Sequence, residues 1–542
     1  SPAEAGPDGT AQESDGAAPA SDQATASDRA TASGSAEAPL LSLPNGDTLR
    51  LRPAVVDFYR SRGYVPAWTD DDEILPRGLR MLEAIAEANA DGLDRERYHY
   101  TTAHQMARLL EEDAVEDQEL EYLGNLDLLL TESFARLAQD LVVGTLDPER
   151  AGLEWRIPRG ETADRDLIDA VIGGQDPRAV LAGLRPDEPY YHRLRQALER
   201  FRAIEARGGW GTVPDGETLK VGDRDRRVTL LRERLMGGDD PDEARLAGAG
   251  RHNPELFDDD LEAAVSHFQT RHTLHEDGAL GPNTLDALNV PVEERIAALR
   301  LNLDRWRWLP NDLGDKFLLV NVAGFELEVV EGDSAIESMN VVVGQTANRT
   351  PIFQDTLEHM VVNPYWNVPA SIAEEEILPI ARRDPTYLTR NNYELVGSGS
   401  GTRVRQRPGP QNALGNVKFL FPNDMNIYLH DTPADGLFTQ RSRAFSHGCI
   451  RVERPDDLAR TLLAWLTDHD PSYYDELRGR GREQWVTIDE EIPVYILYFT
   501  AWADRDGTVR FHEDIYDRDE TLGPERERQF APVEPRPIAA PK

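Results

Sequence analysis

The apolar residues between about positions 48 and 235 are spaced as in amphipathic α-helices. In the segment RGLRMLEAIAEANADGL, four apolar residues recur on one helical face: Leu79, Leu82, Ile85 and Ala86. This segment ends near Gly92, and a longer run, LGNLDLLLTESFARLAQDLVVGTL, ends near Gly144. We therefore expect an α-helical scaffold in this part of the chain.

Alternation of apolar and polar residues, the pattern of β-strands, dominates from about residue 315. It is seen in FLLVNVAGFELEVVEG, SMNVVVGQ, EHMVVNPYWNVP, VKFLFP and NIYLHDT, and it returns in PVYILYFTAWAD and TVRFHEDIY. One helical segment, PDDLARTLLAWL, interrupts the series. These features predict a domain made mostly of β-strands.

Between the two regions, residues 254–289 contain two short helical segments. They flank a turn at Asp277-Gly278 and a break at Gly281-Pro282, which predicts a small helical module. Both ends of the chain have few large apolar residues and are expected to be disordered. The sequence thus predicts a multidomain α+β protein with these parts: a disordered tether at 1–45, a helical scaffold at 46–245, a small three-helix module at 246–292, a connecting scaffold helix at 293–314, a mostly β domain at 315–518 and a disordered tail at 519–542.

The 542-residue chain has a formal net charge of −39 at pH 7. Nucleic-acid binding requires a basic surface, so this charge argues against a nucleic-acid partner. It identifies no other partner, because acidic surfaces commonly serve solubility. The sequence contains no run of about 18 apolar residues, so no membrane span is predicted. Removal of an export signal would explain why the chain begins at Ser1 rather than at Met. A boundary with another origin would give the same first residue.

Cys449 is the only cysteine, so no intramolecular disulfide can form. A cysteine attacks as a thiolate, which requires a nearby base or a favourable backbone dipole. His447 is two positions away, and His430 lies nineteen positions earlier at the end of NIYLH. Neighbours on a turn rarely face each other well, so His430 is the better candidate base. Gly448 permits a tight turn that can aim backbone N–H groups at an oxyanion.

Two other interpretations of Cys449 are open from the residues alone. A lone cysteine is commonly a buried core residue. Cys449, the two histidines and Asp431 could also bind zinc, although a His-x-Cys spacing with one further His is unlike common zinc sites.

The segment HDTPADGLFTQRSRAFSHGCIRV resembles the signature of YkuD-type L,D-transpeptidases, a His followed after a spacer by Ser-x-Gly-Cys-Ile/Val-Arg. The signature positions are filled by His430, Ser446, Gly448, Cys449 and Arg451. FYRSRGYVPAWTDD, ANADGLDRERYHY, VVNPYWNVPASIAEEEILP and IPVYILYFTAWADRDGTVRFHEDIY are similar to the larger, YcbB-like members from Gram-negative bacteria. FQTRHTL and DGALGPNTLDALN resemble a peptidoglycan-binding type 1 module, which would occupy 246–292.

The resemblance implies a periplasmic enzyme of a Gram-negative bacterium that contributes to cell-wall biogenesis and cell shape, without a cofactor or metal. Such enzymes take tetrapeptide stems with meso-diaminopimelate at the third position. They release D-Ala through a cysteine thioester and form 3→3 cross-links, and carbapenems acylate their thiol. The implied partners are donor and acceptor peptidoglycan stems, with glycan synthases as candidate protein partners. A carboxypeptidase or hydrolase on the same stems and a non-catalytic wall-binding scaffold are the alternative functions.

The resemblance also implies roles for single residues. Cys449 would be the nucleophile and His430 the base. The backbone N–H groups of Gly448 and Cys449 are candidate oxyanion donors. Tyr428 would help to orient the stem, and Arg451 would either hold the loop or meet a substrate carboxylate.

The remaining candidates surround this centre. Ser446 is expected to stabilise the turn, and His447 is either a bystander or a substrate contact. Trp366 and Asn363, in the segment NPYWNVP, are expected to line the cleft, and a capping insert at 371–408 would cover it. The type 1 module either binds peptidoglycan or acts as a spacer.

Overall fold

A computed structural model describes residues 39–161, 164–250, 252–397, 402–466 and 470–539. Within these ranges, no helix combines the length and the apolar character needed to cross a membrane. The predicted N-terminal tether lies mostly outside the described residues. Its last part is ordered, because Leu41 and Leu43 are buried and residues 40–42 form a strand. The prediction of disorder was therefore wrong for residues 39–45.

The N-terminal part of the chain is helical, with a core that extends from Leu41 to Leu181. In α2, Met81, Leu82 and Ile85 are buried, whereas Leu79 is 38% exposed and does not belong to the buried face. The elements are β1 (Leu40–Ser42), β2 (Thr48–Arg50), α1 (Pro53–Ser61), α2 (Pro76–Glu87), α3 (Tyr100–Glu111), α4 (Glu119–Val143), β3 (Trp155–Arg156), α5 (Asp164–Ile172), α6 (Pro177–Ala182) and α7 (Pro189–Glu205).

The last elements of the predicted scaffold join a different core. Helix α7 packs against α12 (Val292–Arg307), the predicted connecting helix, and both contribute to the core of the C-terminal domain. Strand β3 pairs with a strand of that domain, with Trp155 opposite Ile352. The single scaffold domain predicted at 46–245 is therefore divided between two cores.

The small helical module begins earlier than predicted. Its core extends from Val213 to Leu288 and uses four helices rather than three. These are α8 (Arg226–Met236), α9 (Pro241–Ala249), α10 (Asp259–Arg271) and α11 (Pro282–Leu288). The side chains of Asp225, Asp240 and Asp258 accept hydrogen bonds from the first turns of α8, α9 and α10. Proline occupies the first turn of α9 and α11, where its missing N–H costs nothing.

The C-terminal domain is mostly β, as predicted, and its main sheet closes on itself. The described strands follow the order β11-β12-β14-β6-β5-β4-β15-β7, and β11 also pairs with β7. The elements are β4 (Lys316–Asn321), β5 (Glu326–Glu331), β6 (Ser334–Gly344), β7 (Ile352–Val362), β11 (Val417–Leu420), β12 (Leu429–His430), β13 (Ala444–Ser446), β14 (Ile450–Val452), α16 (Pro455–Leu466), α17 (Tyr473–Gly479), β15 (Gln484–Leu497), β16 (Ala501–Ala503) and β17 (Val509–Phe511).

An insert between β7 and β11 forms a separate small unit, which we call the cap. Its strands have the order β8-β10-β9, and its own core contains Val368, Ala373, Ile377 and Val404. It begins slightly before the predicted 371–408, and residues 398–401 lie outside the described part. The elements are β8 (Trp366–Asn367), α13 (Ala370–Ile372), a π-helical turn (Ala373–Ile377), α14 (Leu378–Arg383), α15 (Tyr387–Arg390), β9 (Tyr393–Val396) and β10 (Arg403–Gln406).

The C-terminal segment is ordered through residue 539, so the predicted disordered tail was wrong there. It contains α18 (Arg518–Thr521) and α19 (Gly523–Phe530). Leu522 is fully buried in the core of the C-terminal domain. Beyond α19 the chain returns to the N-terminal helices, where the N–H of Val533 donates to Asp94 (3.2 Å) and Ile538 packs on their core.

Candidate active site

Strands β12 and β14 bring four candidate residues onto one face of the sheet. The strands pair in parallel, with His430 opposite Arg451. The N–H of Ile450 donates to the carbonyl of Tyr428 (3.1 Å), which continues the pairing one residue earlier. Side chains two positions apart on a strand share a face. Tyr428, His430, Cys449 and Arg451 therefore face the same way.

A cavity of about 620 Å³ is lined by this face, by the catalytic turn and by the cap. The cap contributes Ile372 and Glu376. Seven of the predicted site residues line the cavity: Trp366, Tyr428, His430, Ser446, His447, Cys449 and Arg451. The structure thus gathers side chains that are far apart in the sequence around one space.

Burial disfavours the thiolate form of Cys449 in the resting site. Its S–H donates to the carbonyl of Asn426, with 3.5 Å between sulfur and oxygen. Burial raises the pKa of Cys449, while hydrogen bonds from the backbone and side chain of Tyr428 and the charge of Arg451 lower it less strongly. The cysteine therefore needs a base at the moment of attack.

His430 has the protonation state that such a base requires. Its Nδ1–H donates to the carbonyl of Asp431 (2.5 Å), which leaves the lone pair on Nε2. Burial lowers the pKa of His430 to about 3, and the charges of Arg451 and Lys418 contribute in the same direction. The imidazole is therefore neutral near pH 7 and able to accept the thiol proton.

Two buried hydroxyl groups hold the turn that carries Cys449. Oγ of Ser446 donates to the carbonyl of Cys449 (2.5 Å) and accepts from the N–H of Gly448 (3.0 Å). Oγ1 of Thr350 donates to the carbonyl of Gly448 (2.8 Å). Gly448 has a φ of 114°, which residues with a Cβ rarely adopt. The hydroxyl of Ser446 thus bridges two backbone groups of this turn.

The predicted pair of oxyanion donors is reduced to one. The N–H of Gly448 already donates to Oγ of Ser446. By contrast, the N–H of Cys449 has no acceptor among the residues that the structure describes. The prediction for the backbone of Gly448 was therefore wrong, and the glycine serves the turn instead.

Arg451 borders the cavity and carries an unpaired guanidinium nitrogen among the described residues. Its Nε is buried and has no hydrogen-bond partner within the described ranges. Burial lowers the pKa of Arg451, because removing the charge from water disfavours it. Both predicted roles of Arg451, holding the loop and meeting a substrate carboxylate, therefore stay predictions.

His447 connects the catalytic turn to the cap. Its Nε2 lies 3.1 Å from Oε1 of Glu376, which belongs to the π-helical turn, and both side chains are about half exposed. Single π-helical turns often occur at functional sites. Of the predicted roles of His447, the bystander role does not account for this contact.

Trp366 and Asn363 have different positions. Trp366 lines the cavity. Asn363 is only 9% exposed, and its amide donates to the carbonyls of Leu477 and Arg478, both at 3.1 Å. The prediction that Asn363 lines the cleft was therefore wrong, because its side chain anchors α17 to the end of β7.

Sequence reasoning missed three residues that shape the site. Asn426 accepts the thiol hydrogen bond, Thr350 holds Gly448, and Glu376 contacts His447. Asn426 has a left-handed φ of 56°, and the turn composition PNDMN could have indicated such a position. Thr350 and Glu376 are remote from the motif in sequence, and no local pattern marks them.

The zinc interpretation of this cluster lacks support from the geometry. The carboxylate of Asp431 accepts from the N–H groups of Asn416 and Thr432, both at 2.6 Å. Among the described residues, the cluster whose donor atoms could share an ion lies elsewhere, in the helical module: Asp240, Glu243 and His267. Arg271 already pairs with Glu243 in that cluster at 2.8 Å.

Comparison with protein families finds three matched regions in the chain, and their bounds differ from those of the cores. Residues 53–198 match a model described as a scaffold domain, and residues 243–288 match one described as "Putative peptidoglycan binding domain". Residues 315–496 match the L,D-transpeptidase catalytic domain. The chain is thus a multidomain α+β protein whose mostly β domain contains Cys449 and matches the L,D-transpeptidase catalytic domain. Residues 315–496 thus match the catalytic domain of YkuD-type L,D-transpeptidases, whereas the YcbB-like subgroup stays a prediction.

Individual relatives cover parts of the chain. A protein of Haemophilus influenzae described as "Putative L,D-transpeptidase" is 34% identical over 245 residues, which are 41% of this chain and 48% of the relative. The chain thus spans about half the length of this curated relative. Among solved structures, an L,D-transpeptidase from Mycobacterium smegmatis is 16% identical with a TM-score of 0.19, over 34% of this chain and 58% of its own. One from Xylanimonas cellulosilytica is 14% identical with a TM-score of 0.16, over 52% of this chain and 99% of its own.

Proposed function

We propose that this protein is a cysteine L,D-transpeptidase that joins peptidoglycan stems through 3→3 cross-links between diaminopimelate residues. The observation that carries the proposal is that Cys449 and His430 lie on one face of a single cavity, where burial raises the pKa of the thiol and lowers that of the imidazole. Neighbouring nucleophile and base side chains are what acyl transfer through a cysteine requires. The family of residues 315–496 supports the choice of substrate.

The first half-reaction forms the acyl-enzyme. As Sγ of Cys449 attacks the carbonyl carbon between the third stem residue and D-Ala, Nε2 of His430 takes the thiol proton. The N–H of Cys449 donates to the developing oxyanion. Collapse of the tetrahedral intermediate breaks the C–N bond, and the imidazolium gives its proton to the departing amine of D-Ala. The stem remains on Cys449 as a thioester.

The second half-reaction transfers the stem to an acceptor. The diaminopimelate amine of another stem attacks the thioester carbon, and His430 accepts a proton from that amine. The new amide bond forms as the C–S bond breaks, and the sulfur recovers its proton. Water in place of the amine would release a tripeptide, which is the carboxypeptidase alternative.

The remaining cavity residues would recognise the stem. Peptidoglycan stems carry free carboxylates, and the unpartnered Nε of Arg451 provides a charged donor for one of them. Tyr428 would orient the stem next to the thiol. Trp366 and His447 would contact the stem from the cap side.

The setting of the reaction belongs to the same proposal. An enzyme that acts on wall stems would work outside the cytoplasm, in the periplasm of a Gram-negative cell, where glycan synthases would supply new strands. The module matched at residues 243–288 would hold peptidoglycan near the cavity. Carbapenems, which carry a strained carbonyl, would acylate Cys449.

Mass spectrometry of the protein with disaccharide-tetrapeptide from a diaminopimelate-type wall tests the reaction. We expect free D-Ala and a dimer lighter than two monomers by one D-Ala, and neither product with Cys449→Ala. Phe445→Ala, at a 44% exposed position next to the motif, is the matched control that should keep the activity. Tripeptide without dimer would establish the carboxypeptidase, and products that persist in Cys449→Ala would exclude a cysteine mechanism.

A further inference from the structure

Thr350 lies 98 positions before Gly448 in the chain but contacts it in the fold. Its side chain is fully buried. Oγ1 donates to the carbonyl of Gly448 (2.8 Å) and accepts from the N–H of Gly344 (2.9 Å). The hydroxyl therefore ties the catalytic turn to the end of β6.

This contact fixes the orientation of one peptide plane. The carbonyl of Gly448 and the N–H of Cys449 belong to the same peptide unit, and in a trans peptide they point in opposite directions. Because Thr350 holds the carbonyl, the N–H of Cys449 points away from Thr350. This is the N–H that has no acceptor among the described residues. Since Gly448 has a φ of 114°, the turn would otherwise have conformational freedom here.

Thr350 is itself held by the C-terminal segment. Its N–H donates to the phenol oxygen of Tyr516 (3.2 Å), and its carbonyl accepts from Nη2 of Arg518 (3.0 Å). The hydroxyl of Tyr516 donates in turn to the carbonyl of Gly344. A continuous buried network thus connects Tyr516 through Thr350 to the peptide unit before Cys449.

We propose that Thr350 is a positioning residue that orients the N–H of Cys449 as the oxyanion donor, with Tyr516 as its support. The inference rests on the proposed acyl-transfer function but concerns any carbonyl substrate of Cys449. It predicts a specific deficit: attack on carbonyl carbon needs the oriented N–H, whereas alkylation of the thiol at a saturated carbon does not.

The test compares two reactions of the same thiol in the full-length protein. Thr350→Val keeps the shape of the side chain and removes the hydroxyl. We expect acylation of Cys449 to slow by about tenfold or more, because loss of one oxyanion donor costs about 100- to 1000-fold and the N–H is misaligned rather than removed. Alkylation by iodoacetamide should change by less than about twofold, since no oxyanion forms. Mass spectrometry measures both rates.

Two further variants separate positioning from folding. Thr350→Ser restores the hydroxyl and should recover most of the acylation rate. Tyr516→Phe removes the support of Thr350 and should slow acylation while it leaves alkylation nearly unchanged. If Thr350→Val slows both reactions in parallel, or leaves acylation unchanged, the positioning role is wrong.

Two acyl donors keep this result independent of the proposed function. One is the disaccharide-tetrapeptide, and the other is a p-nitrophenyl ester that any activated thiol can attack. A wild-type protein that accepts the ester but not the tetrapeptide would contradict the stem substrate, while the ester rates still decide the role of Thr350. A wild-type thiol that is alkylated but accepts neither donor would overturn the oxyanion site itself.

Discussion

At the scale of the residue, burial and the charges near His430 together lower the pKa of its imidazole. Lys418 lies opposite His430 on β11. After the larger effects of burial and Arg451, its charge lowers the pKa of His430, which is about 3. Lys418→Met removes this charge and favours protonated His430. We therefore expect the acid-side midpoint of kcat/KM for D-Ala release, which reports this pKa, to move upward from about 3.

Lys418→Arg keeps the charge and is the control that should leave the acid-side midpoint in place. The pH profile of both variants is measured with disaccharide-tetrapeptide. A downward shift in Lys418→Met, or equal profiles for the two variants, would show that the charge at this position does not act on His430.

The motif around Cys449 could be predicted from the sequence because its chemistry is local. Ser446 and Cys449 lie on one turn, and His430 ends a recognisable strand. The sequence could not show which backbone N–H groups of the turn already have a hydrogen-bond acceptor. The N–H of Gly448 donates to Oγ of Ser446 only once the turn has folded. The role of Thr350 could not be predicted, because the sequence does not indicate which distant carbonyl accepts the hydrogen bond of a buried threonine hydroxyl.

At the scale of the element, one contact joins the cap to the catalytic turn. The side chains of Glu376 and His447 are both about half exposed, and a contact between such exposed side chains contributes at most about 1 kcal/mol. For Glu376→Ala we expect KM for the tetrapeptide to change by less than about fivefold with kcat nearly constant, because the pair shapes the cavity but takes no part in the chemistry. Steady-state kinetics of D-Ala release measure both constants.

Glu375→Ala is the matched control, since Glu375 is an exposed neighbour on the same π-helical turn and does not line the cavity. Its kinetics should equal those of the wild type. A large fall in kcat for Glu376→Ala would instead place this carboxylate in the chemistry.

Periodicity predicted the type of most elements but not their assembly. The alternating pattern identified the strands of the β domain, since each buries one face. It could not show that β11 pairs with both β12 and β7, because that closure depends on contacts distant in sequence. Likewise, the strand β3 has only two residues, which is too short for a periodic pattern. Its pairing with β7 nevertheless joins part of the predicted scaffold to the C-terminal domain.

At the scale of the whole molecule, the C-terminal segment is a structural connection between the two largest cores. Its composition, rich in proline and charge, predicted disorder because only a few apolar residues occur in it. Those few are the ones that pack: Leu522 is fully buried in the C-terminal core, and Ile538 contacts the N-terminal helical core. The segment also carries Arg518, which bonds to the carbonyl of Thr350.

The energetic weight of this segment is tested by Leu522→Ala. Removing a fully buried leucine side chain costs about 2–5 kcal/mol of unfolding free energy, because transfer energy is lost and a cavity remains. Val533→Ala, at a position 39% exposed, should change stability by less than about 0.5 kcal/mol. Thermal and urea unfolding of both variants measure the difference. Equal midpoints would mean that the segment does not pack on the core in solution. The hydrogen bond from Arg518 to the carbonyl of Thr350 would then not be expected to form.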